Sequence, residues 1–154
     1  MAFLSSLNIP LSGMTAERFR FDIISQNIAN ADDYATNPED VYCRQMTVFA
    51  EDRSFKKLLR VNLESGEPDF HRFNYVQLKG VQATRVVDDP TPPTPVYSPD
   101  NPLADENGYI YESNVNVVVE QTDAIAAANA YNANKEIFEL MKSMTSAALN
   151  IGKG

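Results

Sequence analysis

The chain has 154 residues, the length of one ordinary domain, and a hydrophobic fraction of 44% is enough to bury a modest core. Thirteen basic against twenty-one acidic side chains leave a formal charge of -8, which repels a nucleic-acid backbone and an anionic membrane surface alike. The single cysteine, Cys43, has no partner for an internal disulfide, and no run of about eighteen apolar residues is available to cross a bilayer.

Met1 to Leu11 carry no positive charge before a short apolar stretch and no small-residue cleavage pattern, so they do not read as a secretory signal. Leu4, Leu7, Leu11, Met14, Phe21 and Ile28 then recur in a three-four alternation flanked by Ile24, broken only at Arg18 and Ser25. That spacing predicts an N-terminal helix with one greasy face. Pro10 would cost a helix interior about 3 kcal/mol, so it is expected at the first helical position, with the helix ending near Asn30.

The period changes in the middle of the chain. Val41, Cys43, Gln45, Thr47 and Phe49 alternate with Tyr42, Arg44, Met46 and Val48, and Leu59, Val61 and Leu63 repeat the same period of two, as strands do. A third alternation through Val76 and Leu78 shifts register at Gly80 into Val81 and Ala83, which predicts a bulge. Four prolines between Asp88 and Pro95 require an extended backbone, and Pro99 to Gly108 is turn chemistry throughout. The expectation is a small, irregular β region.

From Asn116 to Ile151 no proline or glycine intervenes, which predicts one long helix with Asn116 as its N-cap and Glu120 near the positive end of the dipole. Ala126, Ala130, Ala133, Ile137, Leu140, Met141, Met144, Ala148 and Ile151 follow the helical period, with Lys135, Glu139 and Lys142 on the other side. The fold class that follows is mainly α with a small β region, the two terminal helices pairing in an antiparallel, coiled-coil-like hairpin around an irregular β or extended middle. The expected divisions are residues 1–36, 37–115 and 116–154, together forming one assembly unit. At 1.5 Å per residue the second helix reaches roughly 50 Å, while the first covers only about 30 Å of it. An uncovered apolar face costs about 25 cal/mol per Å², so the excess calls for partner molecules.

The run Ser25-Gln26-Asn27-Ile28-Ala29-Asn30-Ala31 resembles the asparagine-alanine motif of the flagellar axial proteins, a family of rod, hook and hook-junction subunits. Tyr97-Ser98-Pro99-Asp100-Asn101-Pro102-Leu103-Ala104-Asp105-Glu106-Asn107-Gly108-Tyr109, followed by Asn114-Val115-Asn116-Val117-Val118, is similar to the segment before the second helix in FlgC-type rod proteins. Ala130-Tyr131-Asn132-Ala133-Asn134 with Lys142-Ser143-Met144 resembles their C-terminal helix. Residues 37–72 lie outside the resemblance. It implies a structural subunit of the proximal rod of the bacterial flagellar basal body, exported without a cleaved signal and polymerised through its terminal helices into drive shaft and channel wall. Copies of itself, other rod proteins and, in transit, the export apparatus are the implied partners, with no cofactor and no nucleic acid.

Leu11, Met14, Phe21, Ile24, Ile28, Ile137, Leu140, Met141, Met144 and Ile151 are the candidate packing residues. Asn27 and Asn30 are suited to cap or cross-link backbone groups where the first helix ends. Other axial components, or a soluble helical adaptor or export chaperone, share these helical features. An enzyme would need Cys43 and His71 as nucleophile and base, yet Cys43 sits in an alternating strand as a small hydrophobe and His71 beside Arg72 in a polar turn. Asp100 to Glu106 comes nearest to a calcium loop, but Pro102 and Leu103 occupy ligand positions. Pro92-Pro93-Thr94-Pro95 lacks the flanking arginine of a polyproline ligand and reads as a linker.

Overall fold

A computed structural model of the chain describes residues 7–51 and 80–151. Helix α1 spans Asn8–Ala29 and helix α2 spans Val117–Ile151. Between them lie β1 (Tyr34–Ala35), β2 (Gln45–Glu51), β3 (Val81–Asp88), β4 (Thr94–Tyr97) and β5 (Tyr109–Glu112). Strands β2 and β3 form a two-stranded sheet, and β1, β5 and β4 form a three-stranded one in that order. The fold is mainly α with a small β region, as the periodicities predict. The chain divides into two compact units, one of residues 1–17, 49–84 and 129–154, the other of residues 18–48 and 85–128.

Helix α1 starts two residues earlier than expected, so Pro10 is its third residue. No hydrogen bond is lost, because the first N–H groups of any helix have no intrahelical acceptor, and the ladder opens with Leu11 N–H donating to the Leu7 carbonyl at 3.3 Å. The helix stops at Ala29, where the Asn30 N–H is shared between the Gln26 and Asn27 carbonyls and the Asn30 side chain donates back to the Gln26 carbonyl at 2.8 Å. Helix α2 begins as predicted. Asn116 Oδ1 accepts the Val118 and Val119 N–H groups at 3.0 and 3.3 Å, a side-chain N-cap.

The strands depart further from the expectation. Alternation begins at Val41, yet β2 starts at Gln45, because the backbone N–H groups of Tyr42 and Arg44 donate to the side chains of Asp33 and Asn114 in place of a neighbouring strand. The alternations at Leu59–Leu63 and at Val76 and Leu78 lie outside the described residues. Gly80 precedes β3 with φ +90°, and a Cβ there would strike Ser12 and approach the Ile9 backbone; the expected bulge involves residues before it that lie outside the described ones. Ser12 Oγ completes that approach by donating to the Ile9 carbonyl and accepting the Val81 N–H.

Period-two reasoning also misses β1, β4 and β5. The predicted extended stretch and turn become a hairpin, in which β4 pairs antiparallel with β5 from Thr94↔Glu112 to Tyr97↔Tyr109. Pro95 is tolerated because β4 is an edge strand, where a missing N–H breaks no ladder. Gly108 closes the turn at φ +80°, and the Ser98 N–H donates to its carbonyl at 2.9 Å. Ile110 faces inward and is buried.

Candidate functional site

Each helix buries only part of the stripe its hydrophobic period advertises. On α1 the buried positions are Pro10, Gly13, Ala16, Ile24 and Asn27, mostly small or polar apart from Ile24, while Leu11 and Phe21 of the predicted stripe stay exposed. On α2 Glu120 and Ala127 are buried, and beyond Tyr131 the less exposed positions are Asn134, Phe138, Met141 and Thr145, the last three each one residue on from the exposed Ile137, Leu140 and Met144. One residue is a rotation of about 100° on a helix. Leu140 is 61% exposed and Phe21 44%, so these side chains remain open for another molecule. Ile24 is instead turned inward, Met14, Ile28 and Met141 are half-buried, and Ile151 is the last residue of α2.

A buried polar network in the second unit sets which side of the first turns of α2 faces inward. Glu120, in the first turn of α2, is 0% exposed. Its Oε1 accepts Arg44 Nε at 2.6 Å and its Oε2 accepts Asn27 Nδ2 at 2.9 Å. Arg44 also reaches Asp123 Oδ2 at 3.2 Å and Asp89 Oδ2 at 3.5 Å, and Arg20 contacts the other Asp123 oxygen at 3.3 Å. Burial works against the Arg44 cation, but the hydrogen bond and charge of Glu120, joined by Asp123 and Asp89, outweigh it and raise its pKa. Rotating α2 by one residue here would break the pairing of the buried Glu120 carboxylate with Arg44, a cost of several kcal/mol.

Asn27 does more than cap. Its amide donates to the Gln45 carbonyl and accepts the Gln45 N–H, both at 2.9 Å, much as a neighbouring strand would. Tyr42 Oη donates to the same Asn27 oxygen at 2.8 Å, and burial, followed by the charges of Glu120 and Asp88, pushes the phenol pKa up. The other motif residues serve local geometry. Asn101 Oδ1 accepts the Leu103 N–H, the Ala104 N–H donates to the Asn101 carbonyl, and Thr36 Oγ1 donates to the Leu103 carbonyl. Asp105 accepts the N–H of Tyr109 and of Asn107, and these bonds hold its carboxyl below the usual range. Ala29, Pro102, Asn132 and Ala133 are exposed. Asn134 lies against Gly13, where a Cβ would sit 2.7 Å from its oxygen.

Residues 7–32 match the family described as flagella basal body rod protein, and residues 106–151 match the flagellar basal body rod FlgEFG protein C-terminal family. Flagellar basal-body rod protein FlgC of Borreliella burgdorferi is 35% identical over the full length of both chains. FlgC of Buchnera aphidicola subsp. Acyrthosiphon pisum is 32% identical over 99% of this chain and 100% of its own, and that of Escherichia coli O157:H7 31% over the same shares. The chain belongs to the FlgC family of flagellar basal-body rod proteins. A FlgC-family chain is a structural subunit of the rod and not an enzyme.

This membership removes the hydrolase reading. His71 lies outside the described residues, and the half-buried Cys43 points its thiol at the Val41 carbonyl, 3.8 Å away. Among the described residues no three His, Cys, Asp or Glu side chains gather as a metal site, and no helix is long and apolar enough to cross a membrane. Sequence reasoning flagged Asn27 but passed over Arg44, Asp89 and Asp123. The available signal was an arginine inside an otherwise apolar alternation, which requires an anion nearby.

Proposed function

We propose that this FlgC-family chain polymerises through its terminal helices in the proximal rod, where it forms part of the drive shaft and of the export channel wall. The helices pair as an antiparallel hairpin: in one unit Arg20 and Asn27 of α1 meet Asp123 and Glu120 of α2, partners whose numbers fall as those of α1 rise. Residues 1–36 and 116–154 supply the helices and residues 37–115 the region between them. The chain travels through the export apparatus without losing a leader and is assembled with copies of itself and other rod proteins in the periplasm-spanning rod.

The observation that carries this reading is the misfit between pattern and burial. Leu11 and Phe21 of α1 and Ile137, Leu140 and Met144 of α2 belong to the predicted stripes and are left open, and sister molecules would cover apolar surface of that extent. A heterologous contact that does not close on itself turns such a stripe into a filament. Leu140→Glu tests it. The variant is expected to melt within about 0.5 kcal/mol of wild type, as exposed substitutions do, yet to be missing from isolated basal bodies and to leave cells non-motile. Incorporation at the wild-type level would overturn the reading.

A further inference from the structure

The three-stranded sheet carries an open aromatic face that the helices do not explain. The β4–β5 register sets Tyr97 opposite Tyr109 and Pro95 opposite Tyr111, so all four share one face, while Val96 and the buried Ile110 share the other. Tyr97 is 65% exposed and Tyr109 41%, and their rings meet edge to face at 5.3 Å and 62°. The arrangement is held in place. Gly108 leaves room for the Tyr97 ring, whose Cε2 would be 3.0 Å from any Cβ added there, and Asp105 fixes the Tyr109 backbone from below.

Charge selects the partner. Between Arg85 and Lys135 there is no basic residue, whereas the turn leading into β5 carries Asp100, Asp105 and Glu106. Tyrosine rings in a hairpin whose turn is acidic suit guanidinium and ammonium groups, which stack on the rings while the Asp100 and Glu106 carboxylates supply opposite charge. The same chain contains one such cluster, Arg53-Ser54-Phe55-Lys56-Lys57-Leu58-Leu59-Arg60, with four cations in eight residues and no acid between Asp52 and Glu64. We propose that the Tyr97–Tyr109 face of one subunit docks the basic run 53–60 of a second copy. The contact is heterologous, with a face on one molecule and a segment on the next, so it propagates without closing. It rests on the rod reading, which brings sister copies side by side.

A photoreactive phenylalanine analogue replacing Tyr97, in an equal mixture of isotopically light and heavy full-length chains, tests the docking in basal bodies and in concentrated purified protein. The expected product joins position 97 of one isotope to residues 53–60 of the other. Lys56→Glu with Lys57→Glu should lower its yield at least about tenfold, and Asp100→Lys with Glu106→Lys in the same chains should restore it. Products joining only like isotopes would assign the face to the chain's own segment and overturn the proposal, as would capture of a different protein or failure of the charge swap to restore yield. Failure of the rod reading looks different: the wild-type chain would be missing from basal bodies while the mixed-isotope product still formed in purified protein.

Discussion

Arg44 reaches Glu120, Asp123 and Asp89 with one guanidinium, and Glu120 has no contact with solvent. Removing the cation alone strands a buried carboxylate, so Arg44→Leu is expected to destabilise the chain by about 3–5 kcal/mol in urea melts. Replacing both partners, Arg44→Leu with Glu120→Leu, should recover more than half of that loss, because the stranded charge is gone. Asn27→Ala leaves the Gln45 N–H and carbonyl and one Glu120 oxygen without their partner, and a loss of about 2–3 kcal/mol is expected in the same assay. Asp89 and Asp105 titrate below their ordinary value of 3.8, Asp89 through its bonds to Thr91 and then Arg44, Asp105 through the backbone N–H of Tyr109. A depressed carboxylate favours the folded state above its unfolded pKa, so their contribution is complete above 3.8 and fades as pH falls through the lower folded values. Urea midpoints should therefore drop on acidification below that point, and less steeply in Asp105→Asn, which keeps an acceptor oxygen but loses the titrating group.

At the scale of elements, α1 and α2 approach closely at a small residue. Gly13 lets α1 lie against Asn134, whose amide donates to the Ala130 carbonyl at 2.9 Å. Gly13→Ala gains about 1 kcal/mol of helix propensity but displaces that side chain, and the two effects should nearly cancel. Combining it with Asn134→Ala frees the space, so the double variant is expected to melt above Asn134→Ala alone by about 1 kcal/mol. An equal melting point for the two would mean that Gly13 serves some purpose other than this approach. The three-stranded sheet is tied to its own unit by equally local devices. Asn114 accepts the Arg44 N–H and donates to the Thr91 carbonyl, and the Ser113 N–H donates to the Asp33 carbonyl.

For the molecule as a whole, the proposed assembly surface is the part of the hydrophobic period that stays exposed, at Leu11, Phe21, Ile137, Leu140 and Met144. A helix with one face uncovered is marginal by itself, so circular dichroism of the isolated chain should show less helix than the same chain in the rod, and equal helicity would rule out folding coupled to assembly. The sequence by itself determined both helices, their caps, the turn from Pro99 to Gly108 and the family, because helix periodicity, capping and glycine or proline chemistry act over a few residues. It could not say which stripe each helix buries. That was decided in three dimensions, by Glu120 meeting Arg44 and Asn27 across 76 and 93 residues of chain, since an ion pair between distant segments leaves no period to read. Strands β1, β4 and β5 were hidden for the same reason: segments of two to four residues acquire strand geometry only from the neighbour that pairs with them.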